Sequence, residues 1–181
     1  MLLKVQRLTE TCRVLEKQYN SAGYDLFPDQ TGVINPSEAH VIPLGFATEF
    51  DYDYVALVFD RGSVGLKGCG RLAGVIDSDF RGEWKVVLAR FPVTMYEYRL
   101  GSDTPFVCCN SQVPFHYSPE KAIAQVLFMP LANVTMEVVA QLGLTERGSK
   151  MDGSSDGKKR AGNVIEVGLG MKAYNTDEID S

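Results

Sequence analysis

Residues 71–88 read RLAGVIDSDFRGEWKVVL. An apolar run, Leu72 to Ile76, leads into the loop Asp77-Ser78-Asp79-Phe80-Arg81-Gly82. The chain then leaves through alternating Trp84, Val86 and Leu88. Apolar positions on either side of a polar loop predict a β-hairpin. The loop is longer than a tight two-residue turn and carries an aromatic ring where small polar residues are the rule. Asp, Ser and Gly are ordinary turn formers, so the loop alone does not name a chemistry.

Outward from this stretch the chain keeps the same character. Strands are predicted at Leu2 to Val5, His40 to Leu44, Tyr54 to Phe59, Leu72 to Ile76, Trp84 to Ala89, Ile123 to Met129 and Val134 to Val139, with Gly, Pro, Asn and Asp between them. Leu8, Cys12, Leu15 and Tyr19 have the spacing of a short helix. Many short strands separated by turn residues argue an all-β sandwich or jelly roll. Between Arg90 and Lys121 the chain carries Tyr96, Tyr98, Phe106, Phe115, His116 and Tyr117, too many aromatics for a disordered linker. An added hairpin or flap is predicted there, at about 93–117. From Thr145 onward Gly, Ser, Lys and Asp dominate, and a mobile arm over 145–181 is expected after a β domain at 1–144.

Composition narrows the function. A chain of 181 residues that is 45% hydrophobic suits one globular domain with a proper core. Its net charge of −5 lacks the basic footprint of a nucleic-acid binder, and Lys158-Lys159-Arg160 is too short a run to supply one. Cys12, Cys69, Cys108 and Cys109 have neither the paired spacing of a zinc site nor the density of a disulfide scaffold. No apolar run reaches membrane-spanning length and MLLKVQRL lacks a signal-peptide core, so a cytoplasmic protein is expected.

Four segments carry a resemblance. Gly74-Val75-Ile76-Asp77-Ser78-Asp79-Phe80-Arg81-Gly82-Glu83 resembles GVIDxDYRGE, the third motif of the trimeric deoxyuridine triphosphate nucleotidohydrolases (dUTPases). Ser21-Ala22-Gly23-Tyr24-Asp25-Leu26 matches the AGYDL of their first motif, and Arg61-Gly62-Ser63-Val64-Gly65-Leu66-Lys67-Gly68 is close to the RSSLALKG of their second. Ile123-Ala124-Gln125-Val126 matches the end of GDRIAQL, their fourth. The resemblance spans roughly residues 1–157. It implies a distorted jelly-roll homotrimer with active sites shared between subunits, and extended chain rather than helix at 8–19.

The resemblance also implies a reaction: dUTP to dUMP and pyrophosphate, which keeps uracil out of DNA. Asp77 matches the catalytic aspartate, and a carboxylate on a loop can orient and deprotonate a water within hydrogen-bond reach. Phe80 replaces the tyrosine whose ring packs on the deoxyribose and leaves no room for a 2′-hydroxyl. Backbone groups at Gly74, Val75 and Ile76 would read the base. Arg61, Gly62, Ser63 and the turn amides to Gly68 would meet the phosphates. Gln125 would reach a phosphate oxygen or an ordered water, although a strand glutamine can equally pair with backbone. Mg2+ would be held mainly by triphosphate and water, with Asp25 either acting on it indirectly through water or buttressing an arginine. His40 and His116 have no place in these motifs and read as structural.

Three departures stand out. Gly62 takes the place of the serine after the motif-two arginine. Glu120-Lys121-Ala122 stands where the family has Gly-Asp-Arg, losing an acid–base pair. The fifth motif, RGxGGFGSTG, becomes Arg147-Gly148-Ser149-Lys150-Met151-Asp152-Gly153-Ser154-Ser155-Asp156. Arg147, Gly153, Ser154 and Ser155 remain as substrate-binding candidates, but Asp152 replaces the ring that stacks on uracil. Stacking is worth about 1–3 kcal/mol per base. Replacing Asp152 with Phe should therefore raise kcat/KM in a steady-state assay, and no gain would remove the explanation.

Other readings stay open. A deoxycytidine triphosphate deaminase would share the fold but would resemble RIDPGWxG in the hairpin and carry a glutamate on the following strand. Val87 occupies that position, and Trp84 to Arg90 contains no acid. A regulatory, nucleotide-binding protein that contacts a protein partner through the aromatic insertion is the non-enzymatic alternative.

Overall fold

Period-2 alternation runs through Tyr54–Asp60, where Ala56 and Val58 point inward, and this strand is the spine of the molecule. A computed structural model describes residues 1–145, except 98, 99, 102, 105, 110 and 111. Its strands are β1 (Lys4–Arg7), β2 (Tyr24–Leu26), β3 (Gly32–Ile34), β4 (Ala39–Pro43), β5 (Phe46–Glu49), β6 (Tyr54–Asp60), β7 (Cys69–Arg71), β8 (Val75–Ile76), β9 (Lys85–Arg90), β10 (Met95–Glu97), β11 (Phe106–Cys109), β12 (Phe115–Tyr117) and β13 (Ala124–Pro130). One helical turn, α1 (Gly62–Gly65), follows β6. The fold is the all-β jelly roll expected from the sequence.

Every strand pairing is antiparallel. One sheet runs β2-β13-β6-β8 and a second β4-β9-β7, while β1-β5, β3-β12 and β10-β11 form pairs. The core between them holds Leu26, Ile34, Ile42, Leu44, Phe46, Val58, Trp84, Val86, Leu88, Ile123 and Val126. Trp84 stacks at a tilt on Phe46, ring centroids 5.4 Å apart, and lies 6.5 Å from Phe128. Burying such side chains is worth roughly 1.5–3 kcal/mol each, so the interleaved sheets hold the loops that carry the motifs.

Residues 8–23 contain no helix, in keeping with the extended chain that the resemblance implies there; Glu16 bridges to Asp25, and Cys12 is buried. The structure alters other expectations. Of the run Leu72 to Ile76, Leu72 alone meets the strand that leaves the loop, donating its amide to the Val87 carbonyl at 3.0 Å. Cys69–Arg71 pairs with β9, whereas Val75–Ile76 crosses to β6. The excursion thus begins and ends in one sheet and spends its middle in the other. Alternation reveals which face is buried but not which strand is the neighbour, and that is why a simple hairpin was expected. No strand forms at Val134 to Val139: β13 ends at Pro130, and Val134, Met136 and Val138 are all exposed. Apolar residues there find no covering layer among the described residues.

Only part of the 93–117 stretch stands outside the sheets. β10 and β11 pair with each other alone, while β12 pairs with β3 and buries Phe115 and Tyr117. Buried Arg90 fastens the base of the hairpin by donating to the carbonyls of Val113, at 3.0 and 3.2 Å, and Lys67. The chain divides into two units, Met1–Val134 and Thr135–Ser181. Of the second, residues 135–145 are exposed and form no helix or strand, and the fifth motif at 147–156 lies outside the described residues. No helix among the described residues is long and apolar enough to cross a membrane.

Candidate functional site

The end of β6 brings together the residues of motifs one, two and four. On β13, Gln125 stands opposite Asp25 of β2 on one side and Phe59 of β6 on the other. Arg61, one residue past β6, donates from Nε to Asp25 Oδ1 at 3.1 Å and from Nη1 to the Ala122 carbonyl at 3.3 Å. Asp25 is largely buried and Arg61 about one-third exposed, so the guanidinium is held while one edge stays accessible. Gln125 donates from Nε2 to the Asp60 carbonyl at 2.9 Å, and the amide retains a second N–H.

Arg61, Gly62, Ser63, Asp25, Gln125 and Gly23 line a cavity of about 320 Å³ with Gln18 and Ser21. In the turn after Arg61, the amides of Val64, Gly65, Leu66, Lys67 and Gly68 donate to carbonyls of the turn itself. Those of Gly62 and Ser63 alone in this turn are left for an anion. The bed is smaller than the eight-residue turn suggested.

The motif-three residues lie elsewhere. Gly74 accepts from the Val58 amide at 2.7 Å, and Ile76 and Val75 stand opposite Ala56 and Leu57. A Cβ at position 74 would lie 2.7 Å from the Val58 carbonyl oxygen and would collide with the Arg71 guanidinium. Only glycine allows this approach. Because β8 is an edge strand and ladder hydrogen bonds alternate, the N–H and C=O of Val75 face away from β6. An adjacent donor and acceptor on a fixed edge can read a base as a pairing partner would. Beyond it the loop turns by a hydrogen bond from the Phe80 amide to the Asp77 carbonyl, 3.1 Å. Arg81 clasps it through the Ser78 carbonyl at 2.7 Å. Asp77 is exposed with a side chain that bonds to none of the described residues, and the Phe80 ring lies over Gly82.

One chain does not bring the two groups together. Asp77 is level with Val55 on β6, six residues before Arg61. At about 3.3 Å per residue the two are roughly 20 Å apart along the strand.

These motifs agree with the comparisons. The family model for dUTPase matches residues 12–95. The deoxyuridine 5'-triphosphate nucleotidohydrolase of Nitrosospira multiformis is 34% identical over 143 residues, covering 75% of this chain and 82% of that protein. The chain belongs to the dUTPase family. The corresponding Nautilia profundicola protein is 30% identical over 159 residues, 86% of this chain and 99% of its own length. Among solved structures, a Staphylococcus bacteriophage 80alpha dUTPase variant with dUpNHpp superposes with a TM-score of 0.69 at 24% identity, over 85% of this chain and 98% of that one. A phage phi11 dUTPase variant, whose structure describes the coordination of a structural Mg(II) ion, gives 0.64 at 23% identity over 78% of this chain and 99% of that one.

A metal cage is not part of the described surface: no group of three His, Cys, Asp or Glu among those residues could hold an ion. Asp25 has one oxygen engaged by Arg61 and its other oxygen available to a water. That donor set fits Mg2+ carried by phosphates and water, with no protein cage. His40 lies 3.4 Å from Glu38 on the surface, away from both groups. His116, read as structural, is exposed and lines a second cavity beside Arg61.

Proposed function

We propose that this protein hydrolyses dUTP to dUMP and pyrophosphate, at sites that each combine the Asp77 loop of one subunit with the Arg61 cluster of another. The observation that carries this is the separation along β6. The base-reading edge and the carboxylate stand at one end, the cationic anion bed at the other. A nucleotide whose base pairs with Val75 keeps its scissile phosphate near Asp77, too far from the same chain's Arg61. A homotrimer would complete three such sites.

In this reading Val75 fixes the base and the Phe80 ring packs on the sugar. Asp77 then takes a proton from the attacking water. Arg61, Ser63 and the second N–H of Gln125 neutralise and orient the phosphates, with Asp25 holding the guanidinium in place. Asp25 would hold Mg2+ only through water, and the ion would supply charge neutralisation to the triphosphate. Arg147, Gly153, Ser154 and Ser155, outside the described residues, are proposed as further substrate-binding groups. The buried free thiol of Cys12 is consistent with work in the reducing cytoplasm.

The test is pyrophosphate release from dUTP, with dCTP, dTTP and UTP alongside. Turnover of dUTP alone is expected. Ammonia release from dCTP would transfer the protein to the deaminases, and no turnover of any nucleotide would favour the regulatory alternative.

A further inference from the structure

Gln18, Asp25, Arg61 and Ser63 also line a second cavity of about 440 Å³, within the range of small-ligand sites. Its lining converges from the approach to β2, the turn after α1, β12 and the segment before β13. Five cations, Arg13, Lys17, Arg61, Lys67 and Lys121, face it against three carboxylates, Glu16, Asp25 and Glu120. In a chain of net charge −5 this is a local reversal of sign.

Two of those cations are already paired. Arg13 forks onto Glu16 at 2.7 and 3.1 Å, and Arg61 holds Asp25. Lys17, Lys67 and Lys121 form no ion pair with any described residue. Lys17 stands 5.3 Å from the centre of the Tyr24 ring and Lys67 5.7 Å from that of Phe115. Glu120 also lacks an ion pair; a hydrogen bond from Ser118 is the main cause that keeps its carboxyl below the usual range. Where the family carries an arginine, Ala122 leaves the back of the cavity open, and its carbonyl receives Arg61.

We propose that this cavity is a second anion site that binds inorganic pyrophosphate through Lys17, Lys67 and Lys121. Three unpaired ammonium groups suit a compact anion of several charges, since point charges do not require the planar geometry that a guanidinium imposes. Pyrophosphate as a product rests on the dUTP reading; the phosphate chemistry of the cavity does not. Because Arg61 and Asp25 line both cavities, an anion in one opposes an anion in the other. Retained product therefore inhibits without occupying the substrate's place.

The experiment is calorimetric titration of inorganic pyrophosphate into the full-length protein saturated with dUpNHpp. Binding should be weaker than in the free protein but persist with the analogue in place. It should weaken by at least about threefold in a Lys17→Gln, Lys67→Gln, Lys121→Gln variant, which removes three exposed charges from the lining. Glu120→Gln should tighten it, an opposite sign that stays readable should the triple variant melt early. Binding abolished by the analogue, or indifferent to these four substitutions, overturns the proposal. The two readings fail separately: absent dUTP turnover sinks the catalytic one, absent lysine-dependent binding sinks this one.

Discussion

Asp77→Asn should lower dUTP turnover by about 10²–10⁴-fold, the range a positioned general base contributes, with little change in KM or melting temperature. The carboxylate makes no side-chain bond to the described residues and is exposed, so it stabilises nothing that the amide would lose. Surface substitutions of this kind usually fall within about 0.5 kcal/mol of neutral. The loop keeps its shape through main-chain groups, the Phe80–Asp77 turn and the Arg81 clasp on Ser78, which the substitution leaves intact. Activity and stability should therefore come apart. Steady-state pyrophosphate release together with a thermal melt reads both. A variant that keeps full activity would remove Asp77 from the chemistry, and one that loses activity by unfolding would make it a structural residue.

How much of this was legible in the sequence depends on what kind of information each feature needs. Strands β4, β6, β9 and β13 were readable because burial on one face leaves an alternating pattern in the chain itself. The composition of the Asp77 loop was readable because turn chemistry is local. Strand partnership is not local. Val75 and Ile76 look like the incoming arm of a hairpin, yet their backbone is taken up by β6. Short strands such as Gly32–Ile34 and Phe115–Tyr117 offer too few residues for a period to show. Gln125 was ambiguous for a related reason: its tie to the Asp60 carbonyl depends on the β13–β6 register. The lysine-lined cavity was invisible, since Lys17, Lys67 and Lys121 come from three distant segments and only the fold gathers them. The apolar positions at 134–139 show the converse error, a strand-like pattern with no neighbour to pair with among the described residues.

Mixing two inactive variants should restore activity. Asp77→Asn keeps the Arg61 cluster and Arg61→Ala keeps the Asp77 loop, so each homo-oligomer lacks one half of every site. If each site draws its carboxylate from one subunit and its arginine from another, co-refolding equal amounts creates sites with both halves intact. Random assortment in a closed ring makes about one site in four complete, so recovery should approach a quarter of the wild-type rate. The roughly 20 Å between the two positions along β6 is what makes the outcome decisive. If a single chain closed on itself to make a whole site, every protomer in the mixture would still carry one defect, and no recovery would follow however the subunits assort. Arg61→Ala alone also frees Asp25, leaving a mostly buried carboxylate without its ion pair. Its melting temperature should fall in consequence, whereas that of Asp77→Asn should not. A measured recovery near zero, with both variants folded and exchanging subunits, would put the arginine and the carboxylate within one chain's site and undo the shared-site reading.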